Sequence, residues 1–238
     1  GLKQQPTEKE SAALKKMEIL TLPTIRDEDW RYANLDFLLK ADFEKNTSDI
    51  HQSIDNSYLD QIKATFPNSS IIVIENGVYS NQLSRVSSED IHLTASLDKN
   101  ETFSYQFEHL ENPFFYYLNQ SNPSSNLTLE IKGNDSKSAP LQIIHMDHFP
   151  PLANFPILQP SITIRVSSNS EASVLEHYVG GQAIPLFRNS VTQIALEENS
   201  VLNYQKIQNE GKNAHGLCNT FVYQSAGSQF SHGSYLLG

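Results

Sequence analysis

The chain has 238 residues, with 17 basic against 27 acidic side chains, so its formal charge is 17 − 27 = −10. One large domain or two small ones fit that length, and 38% apolar residues are enough for a core, which argues against wholesale disorder. The acidic balance argues against a nucleic-acid or anionic-membrane surface, and no apolar run exceeds five residues (114–118), far short of the ~20 a membrane helix needs.

The opening GLKQQPTEKE stretch has no apolar signal core, and Cys218 is the only cysteine. A reducing, cytoplasmic location is therefore expected, with no intrachain disulfide and no multi-cysteine metal site. Thr7-Glu8-Lys9-Glu10 matches a capping box and opens a helix that carries Leu14, Met17 and Leu20 on one face before Pro23 stops it. Asp27-Glu28-Asp29-Trp30-Arg31-Tyr32 holds the only tryptophan and reads as a helix start, with acids at the positive end of the dipole and Trp30 packed inward. A second helix is predicted over 58–66, closed by Pro67. The run 71–79 contains Asn76-Gly77, which accepts positive φ twice and predicts a hairpin. Asn112-Pro113 followed by an aromatic run to Leu118 predicts a short aromatic helix or turn over one end of a core.

Charge then thins out: residues 1–120 hold 30 charged side chains and 121–238 hold 14. With the SNPSS connector at 121–125, this predicts a boundary between an N-terminal α/β region (1–125) and a mainly-β second region (126–238). The second region repeats a strand–turn–strand unit at 162–178, 191–207 and 220–235, after an earlier pair at 127–131 and 141–145 around Gly133-Asn134-Asp135. The central turn residues Asn169, Asn199 and Gly227 are 30 and 28 apart, and Asn and Gly are the types that accept a left-handed turn. A β-solenoid and a hairpin-built β-sandwich both fit the turn lengths; the regular spacing favours the solenoid. The last unit ends on Leu236-Leu237-Gly238 without a polar cap, so a chain truncated at its C-terminal end is expected.

Chemistry-bearing groups are sparse. His145, Asp147 and His148 form the best metal candidate, but no fourth ligand follows at suitable spacing, and a polar strand end is the expected reading. Glu176-His177 are strand neighbours that point to opposite faces, which disfavours an acid–base pair. Cys218 and His215 lack the acidic partner and oxyanion turn of a thiol catalyst, and a buried small hydrophobe is the expected role of the cysteine. No phosphate-cradling glycine motif occurs. A polysaccharide-acting enzyme would need carboxylates and bases gathered on one face, whereas the five acids and four bases of 160–238 fall mostly in turns or at different repeat phases. An acyltransferase coil would need a six-residue period, and an exported adhesin a signal segment. No catalytic, cofactor-binding or metal residue is assigned, the partner-binding residues are left unassigned, and a non-catalytic scaffold is expected.

The stretch Leu22-Pro23-Thr24-Ile25-Arg26-Asp27-Glu28-Asp29-Trp30-Arg31-Tyr32-Ala33-Asn34-Leu35 closely resembles the N-terminal signature of the SufD branch of the SufB/SufD family of Fe–S cluster assembly proteins. Ala172-Ser173-Val174-Leu175-Glu176-His177-Tyr178, the run 192–208 and Asn219-Thr220-Phe221 resemble the family's successive strands, in the right order. The resemblance implies a β-helix between an N-terminal α/β region and a C-terminal helical region. It further implies docking with a SufB-like paralogue and a SufC-like ABC ATPase, in a complex that builds Fe–S clusters and in which a flavin is a further candidate cofactor. A homodimer in isolation belongs to the same expectation; bound cofactor, nucleic acid and membrane do not. One cysteine fits the SufD-like member better than the SufB-like one. The family's functional histidine has no matching position here, so no site residue is carried over.

Overall fold

The computed structural model describes residues 6–33, 35–40, 43–45, 57–95, 112–133, 139–149, 155–180 and 185–237. In chain order the helices are α1 (Glu8–Met17), a 3-10 turn (Glu28–Trp30), α2 (Asp36–Lys40), α3 (Ser57–Thr65) and α4 (Phe114–Ser121). The strands are β1 (Phe43–Lys45), β2 (Ile71–Glu75), β3 (Val78–Tyr79), β4 (Ile91–Ala95), β5 (Ser125–Ile131), β6 (Leu141–Asp147), β7 (Phe155–Leu158), β8 (Pro160–Val166), β9 (Glu171–Gly180), β10 (Leu186–Leu196), β11 (Val201–Glu210), β12 (Ala214–Gln224) and β13 (Gln229–Leu236). The molecule is mostly β, with two mixed sheets and few helices.

Apart from the one expected at 27–32, the predicted helices form where their local signals lie. Thr7 Oγ1 accepts from the Glu10 N–H at 3.2 Å while Glu10 Oε2 accepts from the Thr7 N–H at 2.8 Å, the reciprocal bonds of a capping box. The 71–79 hairpin closes as expected, β2 pairing antiparallel with β3 through Asn76 and Gly77 at φ 49° and 79°. Asn134 and Asp135 of the earliest predicted turn lie outside the described residues; Gly133 takes φ 80°.

From β5 onward, successive strands alternate between the two sheets, except that β7 and β8 both lie in the first and both pair with β10. One sheet contains β5, β8, β10 and β12 side by side; the other contains β6, β9, β11 and β13. All of these neighbours pair in parallel. The strands of each repeat therefore do not pair with each other, which removes the hairpin-built sandwich. Earlier strands finish both sheets at the other end, β4 antiparallel on β5 and β2 parallel on β6. Turns stack between β8–β9, β10–β11 and β12–β13, with Asn169, Asn199 and Gly227 at φ 59°, 56° and 70°. The Asn169 N–H donates to the Glu198 carbonyl and the Asn199 N–H to the Ala226 carbonyl, both at 3.0 Å.

Strand alternation sends every second side chain between the sheets. Near the stacked turns these are Leu127, Leu129, Ile131, Ile162, Ile164, Val166, Val174, Ile194, Leu196 and Leu202, all buried in one core with Ile72, Ile74, Leu141 and Ile143. Two outer layers cover the flat sides. Leu59 and Ile62 of α3 pack on Ile71, Val73, Ile144 and Met146. On the other sheet, Phe115 of α4 packs with Leu35 and Phe187, and Trp30 lies against it with ring centroids 5.0 Å apart. Trp30 packs inward as expected, but the stretch around it forms only the 3-10 turn Glu28–Trp30 and does not start a longer helix.

Candidate functional site

The other half of the same interior is polar. Toward the strand ends away from the turns, the inward phase brings together His145 and Asp147 of β6, Glu176 and Tyr178 of β9, Arg188 and Ser190 of β10, and Tyr204 and Lys206 of β11, all buried. Parallel register sets the rows: Glu176 lies beside Lys206, His145 beside Tyr178, and Ser190 beside Cys218.

Arg188 bridges the sheets, one guanidinium nitrogen donating to Asp147 and another to Glu210, with the guanidinium carbon 4.9 Å from the centre of the Tyr178 ring. Glu176 is the second hub. It accepts from His145 Nε2 at 2.9 Å, from the Tyr178 hydroxyl at 2.9 Å and from the Tyr204 hydroxyl, and the Lys206 ammonium lies 3.9 Å away. The ammonium also donates to Thr220 Oγ1 at 3.1 Å, which carries the network to β12.

Burial alone would push the Glu176 carboxyl up. The Lys206 charge and the bonds from His145 and Tyr204 outweigh it and hold the group at about 2. Burial pulls the His145 imidazole down, against the Glu176 charge that raises it, so a neutral Nε2–H donor faces the carboxylate. Burial pushes both tyrosine hydroxyls well above their ordinary value, so they stay protonated donors. Apart from His145 Nδ1, which is buried without a partner, these groups bond one another rather than aim at a common point in a cleft.

The chemistry-bearing residues singled out in the sequence separate. His145 and Asp147 share the inward face, but the first bonds Glu176 and the second Arg188. His148 lies past the strand end, its backbone N–H donating to Asn76 Oδ1 at 2.7 Å. Among the described residues no group of three or more His, Cys, Asp or Glu is arranged to hold a metal. Glu176 points in and His177 points out, where His177 Nε2 meets Gln142 Oε1 at 2.9 Å and Nδ1 meets the Tyr58 hydroxyl at 3.1 Å. Burial lowers His177 to about 4, so the ring bridges α3 to the sheet in its neutral form. Cys218 and His215 face opposite ways: the imidazole stacks on Phe37 at 4.0 Å, while the cysteine sulfur is enclosed, though the residue keeps some exposure, and burial pushes the thiol up. A raised thiol is a poor nucleophile.

Sequence reasoning missed Arg188, Lys206, Tyr178 and Tyr204. The available signal was phase: Arg188 and Lys206 stand at the same inward phase as the apolar Ile194 and Leu196 of β10 and Leu202 of β11.

The flat outer faces carry the opposite message. Nine charged residues lie between 160 and 238, and Glu176, Arg188, Lys206 and Glu210 among them face inward. The outward positions of β11 are Val201, Asn203, Gln205, Ile207 and Asn209; those of β13 are Gln229, Ser231, Gly233 and Tyr235. None is charged. The outward positions of β10 and β12 carry no Asp, Glu, Lys or Arg either.

Comparison with known proteins agrees with these observations. Residues 152–238 match the model of the SUF system FeS cluster assembly, SufBD core domain. The chain is also 23% identical, over 231 residues, to an iron-sulfur cluster assembly SufBD family protein of Synechocystis sp. (strain ATCC 27184 / PCC 6803 / Kazusa). That alignment covers 89% of this chain and 49% of the relative, so the chain spans about half the length of the curated protein it matches. Neither match separates SufB from SufD. No described helix is long and apolar enough to cross a membrane. Residues 152–238 are thus similar to the core domain of the SufB/SufD family of the SUF iron–sulfur cluster assembly system.

Proposed function

We propose that this chain is part of a SufD-like, non-catalytic scaffold subunit, in which consecutive strands coil into a β-solenoid that docks a SufB-like paralogue and works with a SufC-like ABC ATPase. The observation that carries the reading is where charge goes. In a chain of net charge −10, the outward faces of β11 to β13 carry none, while charged groups pair inside. Neutral Asn, Gln, Ser and Tyr faces cost less to desolvate than charged faces and can exchange water for partner hydrogen bonds. The alternation of strands between two parallel sheets and the stacked Asn and Gly turns support the coil.

On this reading the segment binds no cofactor itself; the Fe–S cluster, and a flavin if one takes part, belong to the assembled complex. The single Cys218 supports the SufD-like assignment and a reducing, cytoplasmic location. Affinity purification of the intact protein from its own cells tests it. The expected result is recovery of an ABC-type ATPase together with a second SufB/SufD-family chain. Recovery of neither overturns the proposal.

A further inference from the structure

We propose that the β4 end of the molecule is a docking site for an extended acidic segment of a partner protein, which adds a strand to the outer edge of β4 and sets a carboxylate against Arg85. At this end a cavity of about 470 Å³ opens between the last strands of the two sheets. Its walls are Tyr79 from β3, Leu93 and Ala95 from β4, and Ser84, Arg85 and Val86 from the connection between them. Tyr79 and Leu93 also pack on the core, so the cavity floor is apolar and fixed. Among the described residues β4 pairs only with β5 and is the last strand of its sheet, so the backbone groups that point outward along its other edge meet no described strand beside the cavity.

Arg85 decides the chemistry. Its backbone is held by Ile71 through bonds of 2.6 and 2.7 Å in the two directions. Its Nη2 donates to the Ser69 carbonyl at 3.1 Å and the Phe66 carbonyl at 3.4 Å, while the buried Nε has no partner. Among the described residues no carboxylate pairs with it, in a chain with ten more acids than bases. The Ser84 hydroxyl is spent on the Ser80 carbonyl and the Val73 N–H. The guanidinium therefore offers a donor for a carboxylate. Strand addition supplies main-chain bonds, and alternate side chains reach the cavity. The site stands apart from the scaffold reading, and its test uses no Fe–S assembly partner.

The test is fluorescence anisotropy on the intact protein with a labelled peptide of alternating valine and glutamate, against its valine–glutamine counterpart. The glutamate peptide is expected to bind saturably, at least about tenfold tighter than the glutamine peptide, with the difference shrinking at high salt. Arg85→Gln should bring the two peptides to equal affinity, and Arg85→Lys should keep part of the gap. Because Arg85 also caps two carbonyls, Ala95→Asp serves as a second variant. It touches none of those bonds, sets a negative charge at the cavity mouth, and should abolish binding of the glutamate peptide with the melting temperature unchanged. Equal affinities for the two peptides on the wild-type protein, no saturation at millimolar peptide, or full binding by Ala95→Asp would each overturn the proposal.

Discussion

The two halves of the interior are built on the same strands and differ in kind. Near the turns, Ile162, Ile164, Ile194, Leu196, Val174 and Leu202 stack as apolar rows; farther along, Arg188, Glu176, Lys206, His145 and Tyr204 pair through bonds. Apolar burial stabilises without regard to direction, at roughly 25 cal/mol per Å². A slip of two residues along a strand keeps every inward side chain inward, so the apolar half constrains register weakly. The polar half does not tolerate that slip, because it would part Arg188 from Asp147 and Glu176 from Lys206. Buried ion sets add little net stability over apolar substitutes, so we infer that this one is kept for register.

The largest expected effect tests that division. Arg188→Met leaves Asp147 and Glu210 without their cation and should cost about 3–5 kcal/mol in urea unfolding. Replacing Asp147, Arg188 and Glu210 together by Leu, Met and Leu should recover most of that loss. Hydrogen exchange in β10 and β11 should then show weakened protection if the ion set fixes register; unchanged protection would remove the register role. On the apolar side, Ile164→Ala should cost about 2–4 kcal/mol, with no change in hydrogen-exchange pattern beyond β8 and its neighbours.

The third effect is pH-dependent. His177 is held at about 4 in the folded protein against 6.5 for the free side chain, so the unfolded chain takes up its proton first as pH falls. Its contribution is full above about pH 6.5 and is lost between there and about pH 4. Glu176, held at about 2 against 4.5, contributes above 4.5 and loses its contribution as pH falls toward 2. His177→Gln should flatten stability between pH 6.5 and 4, leaving the slope due to buried His145, whose imidazole is also lowered. An unchanged slope in thermal melts across that range would contradict the bridge to Tyr58. The smallest effect is at the turns: Asn199→Ala, at φ 56°, should cost about 1 kcal/mol, measured by the shift in Tm.

The sequence announced the apolar half far better than the polar one. Asn169, Asn199 and Gly227 marked the stacked turns because only a few residue types take that backbone cheaply. The strands were read too short where the interior turns polar. β10 begins at Leu186 and β12 at Ala214, whereas the pattern suggested 191 and 220, because Arg188-Asn189-Ser190 and His215-Gly216 look like a loop. These residues are strand because neighbouring strands satisfy them, which no local pattern records. β4 and β7 escaped notice for a related reason: they are short, and their partners lie far along the chain. Trp30 was legible as a packing residue, while the pairing of Phe37 with His215 depends on contact across 178 positions and was not.

The most direct measurement concerns the uncharged outer face. Asn203 and Ser231 are exposed neighbours on β11 and β13, so Asn203→Glu with Ser231→Glu adds two charges there while leaving the core untouched. Purified from its own cells, the doubly substituted intact protein should melt like wild type but lose the second SufB/SufD-family chain that wild type recovers. Recovery of that chain in full by the charged variant would contradict docking through this face.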